Sequence, residues 1–381
     1  MLYRKMGKAG LELSILGFGC MRLPTTADGG VDEPRAAQML KYAVDHGVNY
    51  VDTAYPYHNG ESELFLGRAL EDGGYRDKVN LATKLPSWLI RSREDMDKYL
   101  NEQLKKLRTD HIDFYLVHGL MEPFWEKLHP MGIAEFLDDA LADGRIRYAG
   151  FSFHDEMALF KEIIDAYDWT FCQIQYNFFD ETYQAGTEGL HYAADKGLGV
   201  VIMEPLRGGM LSREIPAIKQ IWDRAPVKLS STEWALRWVW NHPEVGVVLS
   251  GMSSMDQMVQ DVAYADRGFP NSLSQEELSL FERAREEYKE RIKVPCTGCR
   301  YCMPCPSNVS VPECFEHYNT ACMFDSPDVA RVNYHIVLGG MLSGKTAFAS
   351  QCEECGKCEE LCPQGIKVRE ELKKVIQCFG K

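Results

Sequence analysis

Eight short apolar runs, each followed by a stretch of helical character, constrain this chain more than any other feature. The runs are ILGFGC (15–20), VNYVDT (48–53), VNLATK (79–84), HIDFYLVH (111–118), RIRYAGFS (145–152), FCQIQY (171–176), GVVIMEP (199–205) and VGVVLSG (245–251). Each has the near-continuous apolar character of a strand buried on both faces. Stretches such as 33–47, 92–107 and 155–168 carry helical periodicity between them. Eight β-then-α units over roughly 250 residues have the size and rhythm of an α/β (β/α)8 TIM barrel, with a doubly wound open sheet as the rival arrangement. The preceding segment, LYRKMGKAGLELS, alternates around a Gly-Lys-Ala-Gly turn and reads as a hairpin capping the barrel bottom. A charged helix over 274–294 stops at Pro295. That stop divides the chain into a barrel, 1–294, and a smaller domain, 295–381.

Charge narrows the partners. The 381 residues carry a net charge of −14, which disfavours nucleic acid and anionic membrane surfaces. No apolar run is long enough to span a bilayer, and MLYRKMGKAG lacks the apolar core of a signal peptide. A cytoplasmic protein is expected. Of the 13 cysteines only Cys20 and Cys172 precede residue 296, so the crowding downstream points to metal binding in a reducing compartment rather than to disulfides.

Cys296, Cys299, Cys302 and Cys305 run at intervals of three and precede Pro306. Cys352, Cys355, Cys358 and Cys362 precede Pro363. The second run reads C-x2-C-x2-C-x3-C-P, the thiolate spacing of bacterial two-cluster ferredoxins. Two [4Fe-4S] clusters with crossed ligation are expected, and with them one-electron transfer. Cys296, Cys299 and Cys302 pair with Cys362, and Cys352, Cys355 and Cys358 pair with Cys305. The first run has two residues rather than three before its last cysteine, so Cys314 or Cys322 is an alternative to Cys305. The intervening VPECFEHYNTACMF and SPDVARVNYHIVL read as helices, giving a mainly helical ferredoxin-like domain. Zinc held by thiolate pairs is the competing assignment. Gly339–Thr346 fits the G-x4-G-K-T pattern, but no parallel sheet can form around it between two cysteine runs, so nucleotide binding there is not expected.

In a barrel of this kind the strand ends build the active site. The second run ends in Asp52-Thr53-Ala54 with Tyr57 behind it, the third in Lys84 and the fourth in His118. A free phenol titrates near 10, and an adjacent ammonium lowers that value. Lys84, held by Asp52, would make Tyr57 a usable general acid toward a carbonyl oxygen, with His118 orienting the carbonyl.

With these residues, Thr83-Lys84, Val117-His118, Gly150-Phe151-Ser152, Gln173–Asn177 and the Pro205-Leu206-x-Gly-Gly stretch, residues 1–290 resemble the aldo-keto reductase family. The resemblance implies an oxidoreductase that interconverts a small-molecule carbonyl and alcohol, with Asp52, Tyr57, Lys84 and His118 as its catalytic set. It implies a nicotinamide cofactor, NAD(P)H. Ser152 and Gln173 would hold the carboxamide. Glu204, Leu206 and Gly208 in one loop, and Gly251, Ser253, Gln257 and Asp261 in another, would line the phosphates and adenosine. Met203-Glu204 stands where the family usually places a stacking aromatic, and Phe153 where an asparagine often follows the serine. The 250–257 loop has no basic residue, and Asp256 and Asp261 would repel a 2′-phosphate. NADH is therefore favoured over NADPH, with a flavin as the alternative. Hydride transfer moves two electrons and each cluster moves one. That mismatch leaves a flavin- or cluster-coupled oxidoreductase, or a non-catalytic redox subunit, as alternative readings, with a redox protein as a candidate partner.

Overall fold

The computed structural model describes residues 1–340 and 344–381. Two compact units emerge, Met1–Pro205 with Glu233–Leu273, and Leu206–Thr232 with Ser274–Lys381.

A hairpin of β1 (Tyr3–Lys5) and β2 (Glu12–Ser14) opens the first unit. The barrel strands are β3 (Leu16–Gly19), β4 (Tyr50–Asp52), β5 (Asn80–Leu85), β6 (Ile112–Leu120), β7 (Ile146–Phe153), β8 (Phe171–Gln175), β9 (Gly199–Met203) and β10 (Val245–Ser250). They pair in parallel and in sequence, and β10 returns to β3, closing an eight-stranded barrel. All eight lie within a residue or two of the runs expected from the sequence, because inward and outward faces are both buried. An open sheet is excluded by the β10–β3 pairing, with Val248 opposite Leu16 and Ser250 opposite Phe18. Up to Pro205 the α-helices of this unit are α1 (Glu33–Asp45), α2 (Glu61–Asp72), α3 (Arg93–Lys106), α4 (Glu122–Leu128), α5 (Ile133–Ala142), α6 (Met157–Ala166) and α7 (Gly186–Asp195).

The hairpin seals one end of the barrel. Met6 and Leu13 are fully buried in one apolar cluster with Tyr50, Phe114, Phe171, Val201 and Val247. Gly7, at φ +44°, lies so close to the start of β9 that a Cβ would stand 2.3 Å from the Gly199 nitrogen, so no larger residue fits there. Arg4 donates to the carbonyls of Trp240, His242, Val245 and Gly268 and fastens β1 to the start of β10.

The second unit begins with α8 (Pro216–Trp222). The chain then passes through α9 (Ser231–Trp240) and α10 (Met255–Ala265), and returns as α11 (Gln275–Glu290), α12 (Val311–Met323), α13 (Pro327–Leu338), α14 (Lys357–Glu360) and α15 (Val368–Phe379). No strand occurs in it among the described residues. Ser274 and Glu277 form a capping box at the start of α11. Trp222 packs on Phe281 with ring centres 5.1 Å apart, Arg207 lies 4.8 Å over Phe324, and Arg213 pairs with Asp328. These contacts bind the 206–232 segment, which follows the seventh barrel strand, into the helical unit. Tyr334 centres the unit's core, its hydroxyl accepting from the Ala349 amide and donating to the Lys381 carbonyl. The Gly339–Thr346 stretch follows helix α13, not a strand, and its residues 341–343 lie outside the described residues. No helix among the described residues is long and apolar enough to cross a membrane.

Candidate functional site

Parallel register brings the strand ends of β4, β5 and β6 side by side. Asp52 stands opposite Ala82, and Lys84 opposite Leu116. Asp52 and Lys84 are buried, with 2% and 0% exposure. Lys84 Nζ donates to both Asp52 carboxylate oxygens, at 2.7 and 2.6 Å, and to the Thr53 carbonyl at 2.8 Å. Tyr57 opens a helical turn (Tyr57–Gly60) after β4, in which His58 and Asn59 take left-handed backbone angles. The Lys84 ammonium lies 5.3 Å from the Tyr57 ring centre, and the Tyr57 and His118 rings stand edge to face at 6.3 Å. The four residues singled out from the sequence thus share one cluster.

The electrostatics differ from the sequence expectation. Burial first, then the charges of Asp52, Cys20 and Glu204, raise the Tyr57 phenol well above its ordinary 10. The Lys84 ammonium does not lower it, because that charge is already matched by a carboxylate gripping it through two hydrogen bonds. Tyr57 therefore stands as a neutral phenol, a proton donor. Burial raises the Asp52 carboxyl, opposed by Lys84. Burial, with Lys84 and His154 adding to it, lowers His118 well below 6.5, so its imidazole is neutral. Its Nδ1 is buried without a partner among the described residues, and its carbonyl accepts from Ser87 Oγ at 2.7 Å. Sequence reasoning missed Trp88, which lies 5.2 Å from the His118 ring and is 41% exposed. Its only signal was a large aromatic just past Lys84.

Ser152 and Gln173 also come together. They are buried neighbours, directly opposite across β7 and β8. Ser152 Oγ accepts from the Gly119 amide at 2.7 Å, leaving its own proton to give. Gln173 Nε2 reaches Met203 Sδ at 3.5 Å, while its Oε1 is buried without a partner among the described residues. One donor and one unfilled acceptor, side by side, suit the oxygen and amino group of a carboxamide, so these residues fit a nicotinamide.

The two loops behave differently. Glu204 has φ +55°, and its carbonyl accepts from Asn177. Leu206 and Gly208 belong to the second unit, where Gly208 takes φ +68°. Gly251 and Ser253 are exposed after β10. Gln257 Oε1 accepts from the Ser253 amide at 2.8 Å and braces the loop from within. Asp261 is buried and accepts from Ser250 Oγ at 2.7 Å, and burial raises its carboxyl to about 6. It turns inward, so the repulsion expected from it does not face the loop.

In the second unit Cys296, Cys299, Cys302 and Cys362 line one hollow, walled by Val311, Pro312, Phe315, Ile366 and Val368. Three thiols from the first run thus meet the last thiol of the second. A single zinc ion would need its thiolates drawn to within about 2.3 Å of one point. Among the described residues no three cysteine, histidine or carboxylate side chains are so gathered. Four thiols around one hollow are the donor set that a [4Fe-4S] cluster takes. Cys358 lies within electrostatic reach of Cys352. Cys314 is buried in the helical core and 3.9 Å from both the Tyr334 hydroxyl and the Ala347 carbonyl.

The Aldo/keto reductase family pattern matches residues 15–285. The chain belongs to this family. The 4Fe-4S dicluster domain pattern matches residues 295–367, so a ferredoxin-type domain follows the barrel. Similar proteins include the aldo-keto reductase YhdN of Bacillus subtilis, 31% identical over 56% of this chain, with 64% of that protein spanned. The uncharacterized oxidoreductase YqkF of the same organism is 26% identical over 73% of this chain and 95% of its own length. The holo form of aldo-keto reductase AKR11C1 from Bacillus halodurans superposes with a TM-score of 0.63 at 28% identity, covering 74% of this chain and 96% of its own. The protein is an oxidoreductase with a (β/α)8 barrel and an iron-sulfur domain.

Proposed function

We propose that the barrel interconverts a small-molecule carbonyl and its alcohol with a nicotinamide dinucleotide, and that residues 295–381 carry two [4Fe-4S] clusters. The neutral Tyr57 phenol beside a charge-matched Lys84–Asp52 pair is the observation that carries this reading. When bound, the nicotinamide supplies or accepts a hydride at the carbonyl carbon. In reduction Tyr57 gives its proton to the carbonyl oxygen, and the alcohol leaves with one hydride and one proton gained. Lys84 stands ready to steady the phenolate that remains, and Asp52 holds Lys84 in place. Neutral His118 orients the carbonyl, and Trp88 forms an aromatic wall beside it. Ser152 and Gln173 position the carboxamide. Cys296, Cys299, Cys302 and Cys362 hold one cluster, and Cys352, Cys355, Cys358 and Cys305 the other, for electron exchange with a redox protein.

The test uses anaerobically purified, iron-replete protein. Either NADH or NADPH is titrated by fluorescence and then turned over with a panel of aldehydes and ketones. Saturable binding and carbonyl-dependent oxidation of the dinucleotide are expected. Failure to bind either one would remove the nicotinamide reading.

A further inference from the structure

The 250–261 loop has no cation of its own, yet one is brought to it from the opposite end of the barrel sequence. Arg22 ends the short helical turn Cys20–Arg22 that follows β3. Its aliphatic stem lies flat on Gly251. A Cβ built at Gly251 would stand 3.3 Å from each of Arg22 Cβ, Cγ and Cδ. β3 and β10 are hydrogen-bonded neighbours in the closed barrel, and this pairing makes the contact possible. The backbone of the turn is fixed just past Arg22, where the Leu23 amide donates to His58 Nε2 at 3.2 Å.

Arg22 is exposed, and among the described residues its guanidinium makes no hydrogen bond, ion pair or ring contact. Acidic residues outnumber basic ones by 56 to 42, and Arg68, Arg76, Arg93, Arg108, Arg145 and Arg213 each hold a carboxylate. Of the two carboxylates near this loop, Asp256 stays exposed in the first turn of α10, and the other is withdrawn. Asp261 is turned into the barrel wall and bonded to Ser250. Helix α10 starts at Met255 with Ser254 as its cap, directing its positive end at the same loop. Gly251 presents no side chain in the way.

Resting on the nicotinamide reading above, we infer that Arg22 is the cation that binds a phosphate group of the dinucleotide at the 250–257 loop. An arginine in this position would grip a phosphate through two parallel N–H donors, which a lysine cannot reproduce.

The test compares wild type, Arg22→Ala and Arg22→Lys as full-length, iron-replete protein. NADPH, NADH and adenosine 2′,5′-bisphosphate are titrated against each. Arg22→Ala is expected to weaken NADPH binding by roughly ten- to a hundredfold, the worth of a charge-assisted hydrogen bond pair, with Arg22→Lys recovering part of the loss. NADH affinity held within twofold assigns the contact to the 2′-phosphate, with the bisphosphate losing affinity in step. An equal loss for both dinucleotides assigns it to the pyrophosphate. NADPH and NADH both binding Arg22→Ala within twofold of wild type would overturn the inference while leaving the nicotinamide reading standing. If wild type binds neither dinucleotide, that reading fails and this inference with it.

Discussion

Replacing Lys84 with methionine tests the buried ion pair that organises the barrel mouth. Methionine keeps most of the length and apolar volume of lysine but carries no charge. In the native chain Lys84 gives three hydrogen bonds, two to Asp52 and one to the Thr53 carbonyl, and both side chains are at most 3% exposed. Removing the ammonium leaves a carboxylate in the barrel with no counter-charge. Breaking a buried pair from one side costs about 3–5 kcal/mol. For a unit of this size that corresponds to a fall in melting temperature of roughly 10 °C. Six of the seven tryptophans lie in the first unit, so tryptophan fluorescence reads the barrel rather than the cluster domain. The sign of the pH dependence follows from Asp52. Burial already raises its carboxyl above the unfolded value, and Lys84 is what opposes this. Without Lys84 the folded carboxyl binds its proton more tightly than the unfolded one. The variant's deficit should therefore shrink as pH falls from 7 toward 5, where Asp52 can be neutral in the fold. Adding Asp52→Asn should restore more than half of the lost stability at pH 7. A loss below about 1 kcal/mol, or one that does not change with pH, would refute the reasoning, since the buried-pair cost would then be absent.

Other expectations are independent of that pair. Asp261→Asn should stabilise the barrel by about 2–3 kcal/mol at pH 8, because burial raises this carboxyl to about 6 and the folded state is penalised once it ionises. An asparagine oxygen still accepts from Ser250, and urea unfolding should show the gain vanishing below about pH 4. Cys362→Ser should lower bound iron from about eight to about four atoms per chain, while Cys378→Ser should leave it unchanged; iron and sulfide analysis reads both. Gln173→Leu should raise the dinucleotide dissociation constant by about fivefold, the loss of one net hydrogen bond, with no change in iron content.

Much of the barrel was legible because burial on both faces leaves an apolar signature at every strand. The two helices between the cysteine runs, and the hairpin that closes the barrel, were legible for equally local reasons. Asp52, Lys84 and His118 stood out as ionisable residues near the C-terminal ends of apolar runs, and Tyr57 as the tyrosine in the loop behind one of them. Contacts made only by closure were not visible. Arg22 and Gly251 are distant in sequence and meet because β3 pairs with β10. The raised Tyr57 phenol comes first from burial and then from the charges of Asp52, Cys20 and Glu204, which no spacing reveals. Residues 206–232 group with the helical unit through Trp222, Arg207 and Arg213, whose partners lie in α11, just past α12 and in α13. Nothing in the segment itself announces those partners.

The central claim is that Tyr57 donates the proton in carbonyl reduction. Tyr57→Phe removes one hydroxyl and keeps the ring. Single-turnover reduction of an active carbonyl by the dinucleotide-loaded protein, with dinucleotide affinity measured on the same sample, reads the step directly. A rate lower by about a hundred- to ten-thousandfold is expected, with affinity unchanged. A Tyr57→Phe rate equal to wild type, with both proteins fully loaded, would contradict it.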